Sequence, residues 1–192
     1  MKPEIKVTQT YDNVAAIRRA VQKLTEEDVS IGIPEDKAAR EAAGDTGISN
    51  AYLGYIHEHG VPEKNIPARP ALIPGIEDIQ GEAAEILKDA AAKALEGNET
   101  AVGKALDKIG LLGTNAVKGR FKNNDWPPLA DKTLDRRPKI GESVNKKGET
   151  IKKYGKSRRD KGRINPLIDT QQLLKSYTYV IRKKSNTALV VK

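Results

Sequence analysis

Two short stretches and one long one hold residue types able to do chemistry, and their spacing limits what each can do. Asp45-Thr46-Gly47 is the tripeptide that carries the catalytic carboxylate of aspartic proteases, where two such Asp residues share a proton. In those enzymes it leaves a hydrophobic strand, whereas here it follows the Ala-rich run from Lys37 to Ala43. The reading as a turn that ends a helical stretch therefore stands ahead. His57-Glu58-His59 offers two imidazoles two residues apart. On a helix they point about 200° apart and cannot share an ion, unlike the four-residue spacing of zinc-protease helices. They read as structural or interface histidines. The sequence has no phosphate-binding glycine loop and no nucleophile elbow. No catalytic residue, metal site or cofactor is expected, and the chain reads as a non-enzyme.

The long stretch is cationic. The chain holds 34 Lys plus Arg and 26 Asp plus Glu, a net charge of +8, and 13 of the basic but only 4 of the acidic residues lie between Lys132 and Arg163. That segment alone balances at +9, which leaves the remainder at −1. The distribution excludes a uniformly cationic nucleic-acid binder and describes a near-neutral domain with one basic segment. Its candidate contacts to a partner or to DNA are Lys146, Lys147, Lys152, Lys153, Lys156, Arg158, Arg159, Lys161 and Arg163. Three explanations stay open, ranked from composition as a solvated loop, pairing with acidic faces of neighbouring copies, and phosphate contact. Only Trp126 and Tyr154 flank or interleave the charge, so base stacking is disfavoured.

A length of 192 residues suits a single domain, 1–192, with an insertion. The chain has no Cys, which removes disulfides, thiolate zinc sites and cysteine nucleophiles together. Apolar runs fall short of the ~18 residues that span a bilayer, and Met1-Lys2-Pro3-Glu4 lacks a signal-peptide core. A soluble protein made in the cytoplasm, with no membrane partner, is expected. Aromatic residues make up 4%, so the core must be aliphatic.

The elements that would position these residues follow from periodicity. Glu4 to Thr8 and Val29 to Ile33 alternate as strands, the second stopped by Pro34. Between them Val14, Ile17, Ala20, Val21 and Leu24 mark one face of a helix that Asp12 or Asn13 can cap. Ser49 or Asn50 opens a short helix that closes at Gly60, and three prolines between Val61 and Pro70 demand an extended or turned arm. Two long helical patterns follow, from Ile76 to Ala94 and from Val102 to Phe121. The short Gly97-Asn98 turn between them predicts an antiparallel hairpin. Gly103, Gly110, Gly113 and Gly119 in the second helix imply close backbone approach, by a neighbouring helix or a neighbouring subunit. Residues 125–166 lose periodicity and read as an extended basic loop inserted in the domain, ordered only on a partner. Asp169 or Thr170 caps a helical turn with Leu173 and Leu174, then Tyr177 to Ile181 and Ala188 to Val191 read as strands about a polar turn, Lys183 to Asn186. The fold class is α+β: a small, mostly antiparallel sheet packed against a long helical hairpin, with a long basic loop.

Three segments in order carry a resemblance. Tyr55-Ile56-His57-Glu58-His59-Gly60 with Ile66-Pro67-Ala68-Arg69-Pro70, then Trp126-Pro127-Pro128-Leu129-Ala130-Asp131-Lys132-Thr133, then Pro166 to Ser176, resemble virion-morphogenesis proteins of tailed bacteriophages. These are neck, head–tail connector and tail-completion subunits, including those of Mu-like phages. The resemblance covers about Val29 to Tyr179. Family members often have Gly after the Asp-Thr pair and an aromatic before the last Gly of the first motif, where this chain has Gln171 and His59.

The resemblance implies a structural subunit of a homo-oligomeric ring, a hexamer, at the head–tail junction or top of the tail. Such a ring joins head to tail around the DNA channel. Implied partners are neighbouring neck, connector and tail proteins, with packaged DNA within reach of the basic loop. The implied location is the virion, with assembly in the host cytoplasm. Interface candidates are Ile66, Pro67, Arg69, Pro70, Trp126 and Leu129, each with an intramolecular role as the competing reading. The alternative from another class is a nucleic-acid-binding protein using residues 132–163.

Overall fold

The computed structural model describes residues 14–39, 47–98, 100–123, 125–168 and 171–183. Helix α1 (Val14–Glu26) leads directly into strand β1 (Glu27–Gly32). Val21, assigned by its spacing to the covered face of α1, is half exposed. Helix α2 (Asn50–His59) starts where the Ser49 hydroxyl accepts the Tyr52 amide at 3.1 Å and stops at Gly60, φ +73°, so both ends sit where the sequence places them.

The helical stretch expected from Ile76 to Ala94 is two helices, α3 (Leu72–Glu77) and α4 (Gln80–Leu95), separated at Asp78-Ile79. Both pack on α5 (Ala101–Asn123). At Gly75 an added Cβ would lie 2.9 Å from the Val117 Cα and N, so α3 meets α5 backbone to backbone. Asp78, in the break, accepts the Arg120 guanidinium at 2.5 and 2.6 Å. The α4–α5 turn uses Gly97 at φ +97° and Asn98, whose side-chain oxygen accepts the Thr100 amide at 3.2 Å. The hairpin of α4 and α5 thus follows the expected turn chemistry.

Helix α5 is the spine. Val102, Leu106, Ile109, Gly113, Val117 and Phe121 recur at three-and-four spacing and are buried, while Lys104, Asp107, Lys108 and Asn115 are exposed. Val117 and Phe121 retain no exposed surface, and full burial of a side chain of this size contributes about 1.5–3 kcal/mol.

After helix α7 (Gln172–Ser176), strand β4 (Thr178–Lys183) pairs antiparallel with β1 in the register Val29↔Ile181 and Ile31↔Tyr179. These two pairs share the face laid on α5. Gly110 and Gly113 explain how closely: a Cβ on Gly110 would run into the Tyr179 ring, and one on Gly113 into Ile31 Cδ1. The approach expected at the glycines is therefore made by this chain's own sheet. Gly103 and Gly119 face open space and serve no such contact.

The segment 125–166 departs from its expectation as an irregular loop. It contains α6 (Asp131–Leu134) and an antiparallel hairpin of β2 (Lys139–Val144) and β3 (Thr150–Tyr154). The turn is built by Asn145, whose side-chain oxygen accepts the Lys147 and Glu149 amides at 2.9 Å, and by Gly148 at φ +81°. Alternation was hidden because a register shift between Lys139 and Gly141 breaks the period, and because nearly every residue of both strands is exposed. The α+β class holds, and among the described residues there are two separate two-stranded sheets. The strand at Glu4–Thr8, the Asp12 or Asn13 cap, the Asp45-Thr46 turn, the Asp169 or Thr170 cap, the turn through Asn186 and the strand at Ala188–Val191 lie outside the described residues.

Candidate functional site

The end of α2, the arm after it, the segment at Trp126 and the stretch before β4 converge on one core. Gly60 lets the chain reverse: a Cβ there would lie 2.7 Å from the Ala68 amide nitrogen. The reversal is held by reciprocal bonds between Val61 and Ile66 at 2.8 and 3.1 Å, by Asn65 at φ +52°, and by the Arg69 amide donating to the His57 carbonyl at 2.6 Å. Only Gly takes the first of these positions without strain.

Glu58 completes the joint. Helix α3 starts at Ala71-Leu72-Ile73 without a capping side chain of its own. The Glu58 carboxylate reaches across and accepts the amides of Ala71 and Leu72 at 2.9 Å and of Ile73 at 2.8 Å. One carboxylate thereby satisfies three orphan donors at a helix start. Sequence reasoning passed over Glu58 because it sits inside the His-Glu-His triplet. The available signal was the uncapped start of α3.

Arg69 is buried, with its side chain turned into the protein. Its Nε and Nη2 donate to the Pro127 carbonyl at 3.2 and 3.1 Å, and Nη2 also donates to the Pro128 carbonyl at 3.3 Å. Desolvation by burial pulls its pKa down from the ordinary arginine value, yet a guanidinium remains charged at neutral pH. In return the Trp126 indole N–H donates to the Pro70 carbonyl at 3.0 Å. Trp126 meets the Phe121 ring edge-on at 5.4 Å, and Phe121 meets Tyr177 at 5.6 Å. Ala71, Val117, Leu173 and Tyr177 close the cluster, with Leu167, Ile168 and Leu174 packed around it. Of the six interface candidates, Arg69 and Trp126 hold the chain to itself. Pro67 is exposed, and Ile66, Pro70 and Leu129 are half-buried.

Beside this joint lies an open apolar cleft of about 280 Å³ between α2, α3 and Tyr177. Its rim carries the exposed Tyr55 and Ile73, and the Tyr55 and His59 rings meet at 4.6 Å, tilted by 53°. The one carboxylate in its lining, Glu58, is already spent on the α3 amides. Burial, and then the nearby Glu58 charge, hold the Tyr177 phenol well above its usual range. The lining is mostly apolar, with Glu58, His59 and the tyrosines Tyr55 and Tyr177 as its titratable groups.

The basic residues divide into two groups. Arg159 bridges Asp131 at 2.6 Å and Asp135 at 2.7 Å, while Arg158 donates to the carbonyls of Arg163 and Asn165 at 3.2 and 3.0 Å. The hydrogen bond from Arg159 holds the Asp135 carboxyl below its usual range and raises Arg159 in turn. Asp160 accepts the Ser157 amide, which depresses its pKa, and lies 3.6 Å from Arg137. Together these contacts root the hairpin. Lys146 and Lys147 at its turn, Lys152 and Lys153 on β3, and Lys156 and Lys161 beyond it are exposed.

Among the described residues no cluster of His, Asp or Glu is arranged to hold a metal ion, and no helix is long and apolar enough to cross a membrane. Comparison of the chain with protein families, with curated proteins and with solved structures finds no match.

Proposed function

We propose that this chain is a structural subunit of a tailed-phage virion. In this reading it forms an oligomeric ring at the head–tail junction or the top of the tail, and it does no catalysis. The observation that carries the reading is the convergence of the three resembling segments. Arg69 binds Pro127 and Pro128, Trp126 binds Pro70, and Leu173 packs in the same cluster with Leu167, Ile168 and Leu174 around it. Segments that share a physical joint form one unit of structure, so the order of the three motifs along the chain acquires a reason. The sixfold ring, the neck and tail partners and the virion location belong to the proposal.

A phosphate-binding arm over residues 132–163 ranks second. Arg158 and Arg159 spend donors inside the chain, and the pairing of Arg159 with Asp131 and Asp135 reduces the charge that segment offers to phosphates.

Particles assembled with the gene for this chain deleted test the proposal. Unjoined heads and tails, with the protein present in wild-type virions at the junction, are expected. Normal head-joined tails in its absence would sink it.

A further inference from the structure

We infer that the cleft between α2, α3 and Tyr177 is a binding site for a neutral, single-ring compound carrying one hydrogen-bond-accepting oxygen. This goes beyond the ring reading and does not depend on it. The cleft, of about 280 Å³, exceeds the ~150 Å³ that suffices for benzene and approaches the ~300 Å³ at which small-molecule sites begin. A single ring with a short substituent fits that space.

The walls are apolar, built by Ile33 just after β1, Ala51 on α2, and Leu72 and Ile73 on α3. Tyr177 supplies the polar end. It is only 4% exposed, and its ring packs on Phe121 at 5.6 Å. Its hydroxyl ends beside Gly54, which also lines the cleft. No described residue is hydrogen-bonded to that hydroxyl, and a buried polar group without a partner is costly. A second cost accompanies it, because Gly54 sits in the middle of α2, where glycine is the poorest helix former after proline. A Cβ there would lie 3.0 Å from the Tyr177 oxygen and 3.2 Å from Ile33 Cδ1, so the glycine keeps the hydroxyl's surroundings clear. Phenylalanine and alanine at these two positions would make a simpler core. Both costs are offset when the hydroxyl donates to a group seated in the cleft.

The chemistry of that group follows from the lining. Burial and the nearby Glu58 charge keep the phenol protonated, so it donates and the ligand accepts. The Glu58 carboxylate lies in the same lining and repels an anion. Its oxygens already accept three α3 amides, which leaves a cation little to bind. At the mouth, Tyr55, 63% exposed, and His59 offer ring partners to a planar ligand. An aliphatic side chain from a protein partner would cover the walls and leave the hydroxyl unpaired, which favours a small oxygen-bearing ligand.

Nearly isosteric probes test this on the full-length chain with labelled methyl groups: acetophenone, cumene, benzoate and benzamidinium. Acetophenone should shift the Ile33 and Ile73 methyl resonances and leave those of the buried Val117 unmoved, with a Kd of about 1 mM or tighter. Benzoate should bind about tenfold more weakly or worse. Tyr177→Phe should weaken acetophenone about three- to tenfold and leave cumene unchanged, a split that a packing defect would not produce. Ala51→Leu, at an exposed position, should fill the cleft and abolish acetophenone binding. No shift with acetophenone overturns the site, and equal losses for acetophenone and cumene in Tyr177→Phe overturn the role of the hydroxyl. Benzamidinium binding more tightly than acetophenone overturns it in favour of a cation held by Glu58. Shifts at Ile33 and Ile73 on concentrating the protein alone, abolished by Ala51→Leu, overturn it in favour of a second copy of the chain. The head–tail reading keeps its own test in particles.

Discussion

Arg69 and Trp126 latch each other's segments: the Arg69 guanidinium donates to the carbonyls of Pro127 and Pro128, and the Trp126 indole donates to the carbonyl of Pro70. Both donors are side chains and both sets of acceptors are proline carbonyls in stretches without ladder partners. The latch gives two proline-rich segments the hydrogen bonds that secondary structure does not supply.

Truncating this latch has a direct readout, because Trp126 is the single tryptophan. Arg69→Ala leaves two carbonyls without partners and should cost about 2–4 kcal/mol of stability in urea unfolding. Its Trp126 emission should shift to the red. Arg69→Lys should recover only part, since an ammonium cannot reproduce the planar fork. Unchanged emission and stability in both variants would mean the latch carries no energy.

Removing the carboxylate at Glu58 should act locally on α3. Glu58→Ala strips three amides of their acceptor and is expected to cost about 2 kcal/mol, with Glu58→Gln costing less. Hydrogen exchange at Ala71, Leu72 and Ile73 is the measurement, and protection there equal to that of the native chain would contradict the capping role.

The glycines of α3 and α5 should separate by sign. Gly75→Ala drives a Cβ against the Val117 backbone and should destabilise by about 1–3 kcal/mol despite better helix propensity. Gly103→Ala and Gly119→Ala meet nothing within 4 Å and should each stabilise by about 0.5–1 kcal/mol. Thermal unfolding of the three variants decides it.

Stability should have shoulders on both sides of neutrality. The Asp135 carboxyl is held low by Arg159, so its contribution is present above the ordinary Asp value of about 3.9 and fades as pH falls through the depressed folded value. Tyr177 is held high by burial, so its contribution is present below about 10 and fades as pH rises through the raised value. NMR titration of the Asp135 carboxyl and ultraviolet titration of the phenols check the two limbs. Asp135→Asn should reduce the acid limb, leaving the share of Asp160, and Tyr177→Phe should reduce the alkaline limb, leaving the share of Tyr179.

Much of the fold is legible without coordinates because its signals are local. Ser49 and Gly60 delimit α2, Gly97-Asn98 turns α4 into α5, and the three-and-four spacing from Val102 to Phe121 defines the buried stripe of the spine. Each is a decision taken within a few residues, by a cap, a positive φ or a period. The split at Asp78-Ile79 is not legible in this way, because the apolar spacing continues through it while Gly75 and Asp78 answer to Val117 and Arg120 on another helix. The β2–β3 hairpin was hidden for a different reason, since a strand exposed on both faces has no burial to impose alternation.

The sequence by itself determined the ends of α2, the turn from α4 into α5, the buried stripe of α5 and the concentration of charge between Lys132 and Arg163, since composition and short-range spacing are properties of the chain alone. Only the tertiary structure decided what the chemically capable residues do. Arg69 finds carbonyls 58 residues away, Glu58 caps a helix 13 to 15 residues on, and Arg159 is neutralised by Asp131 and Asp135. Local patterns carry no record of these partners: a side chain's electrostatic role is set by whichever groups folding brings within hydrogen-bond reach, and sequence separation does not measure that distance.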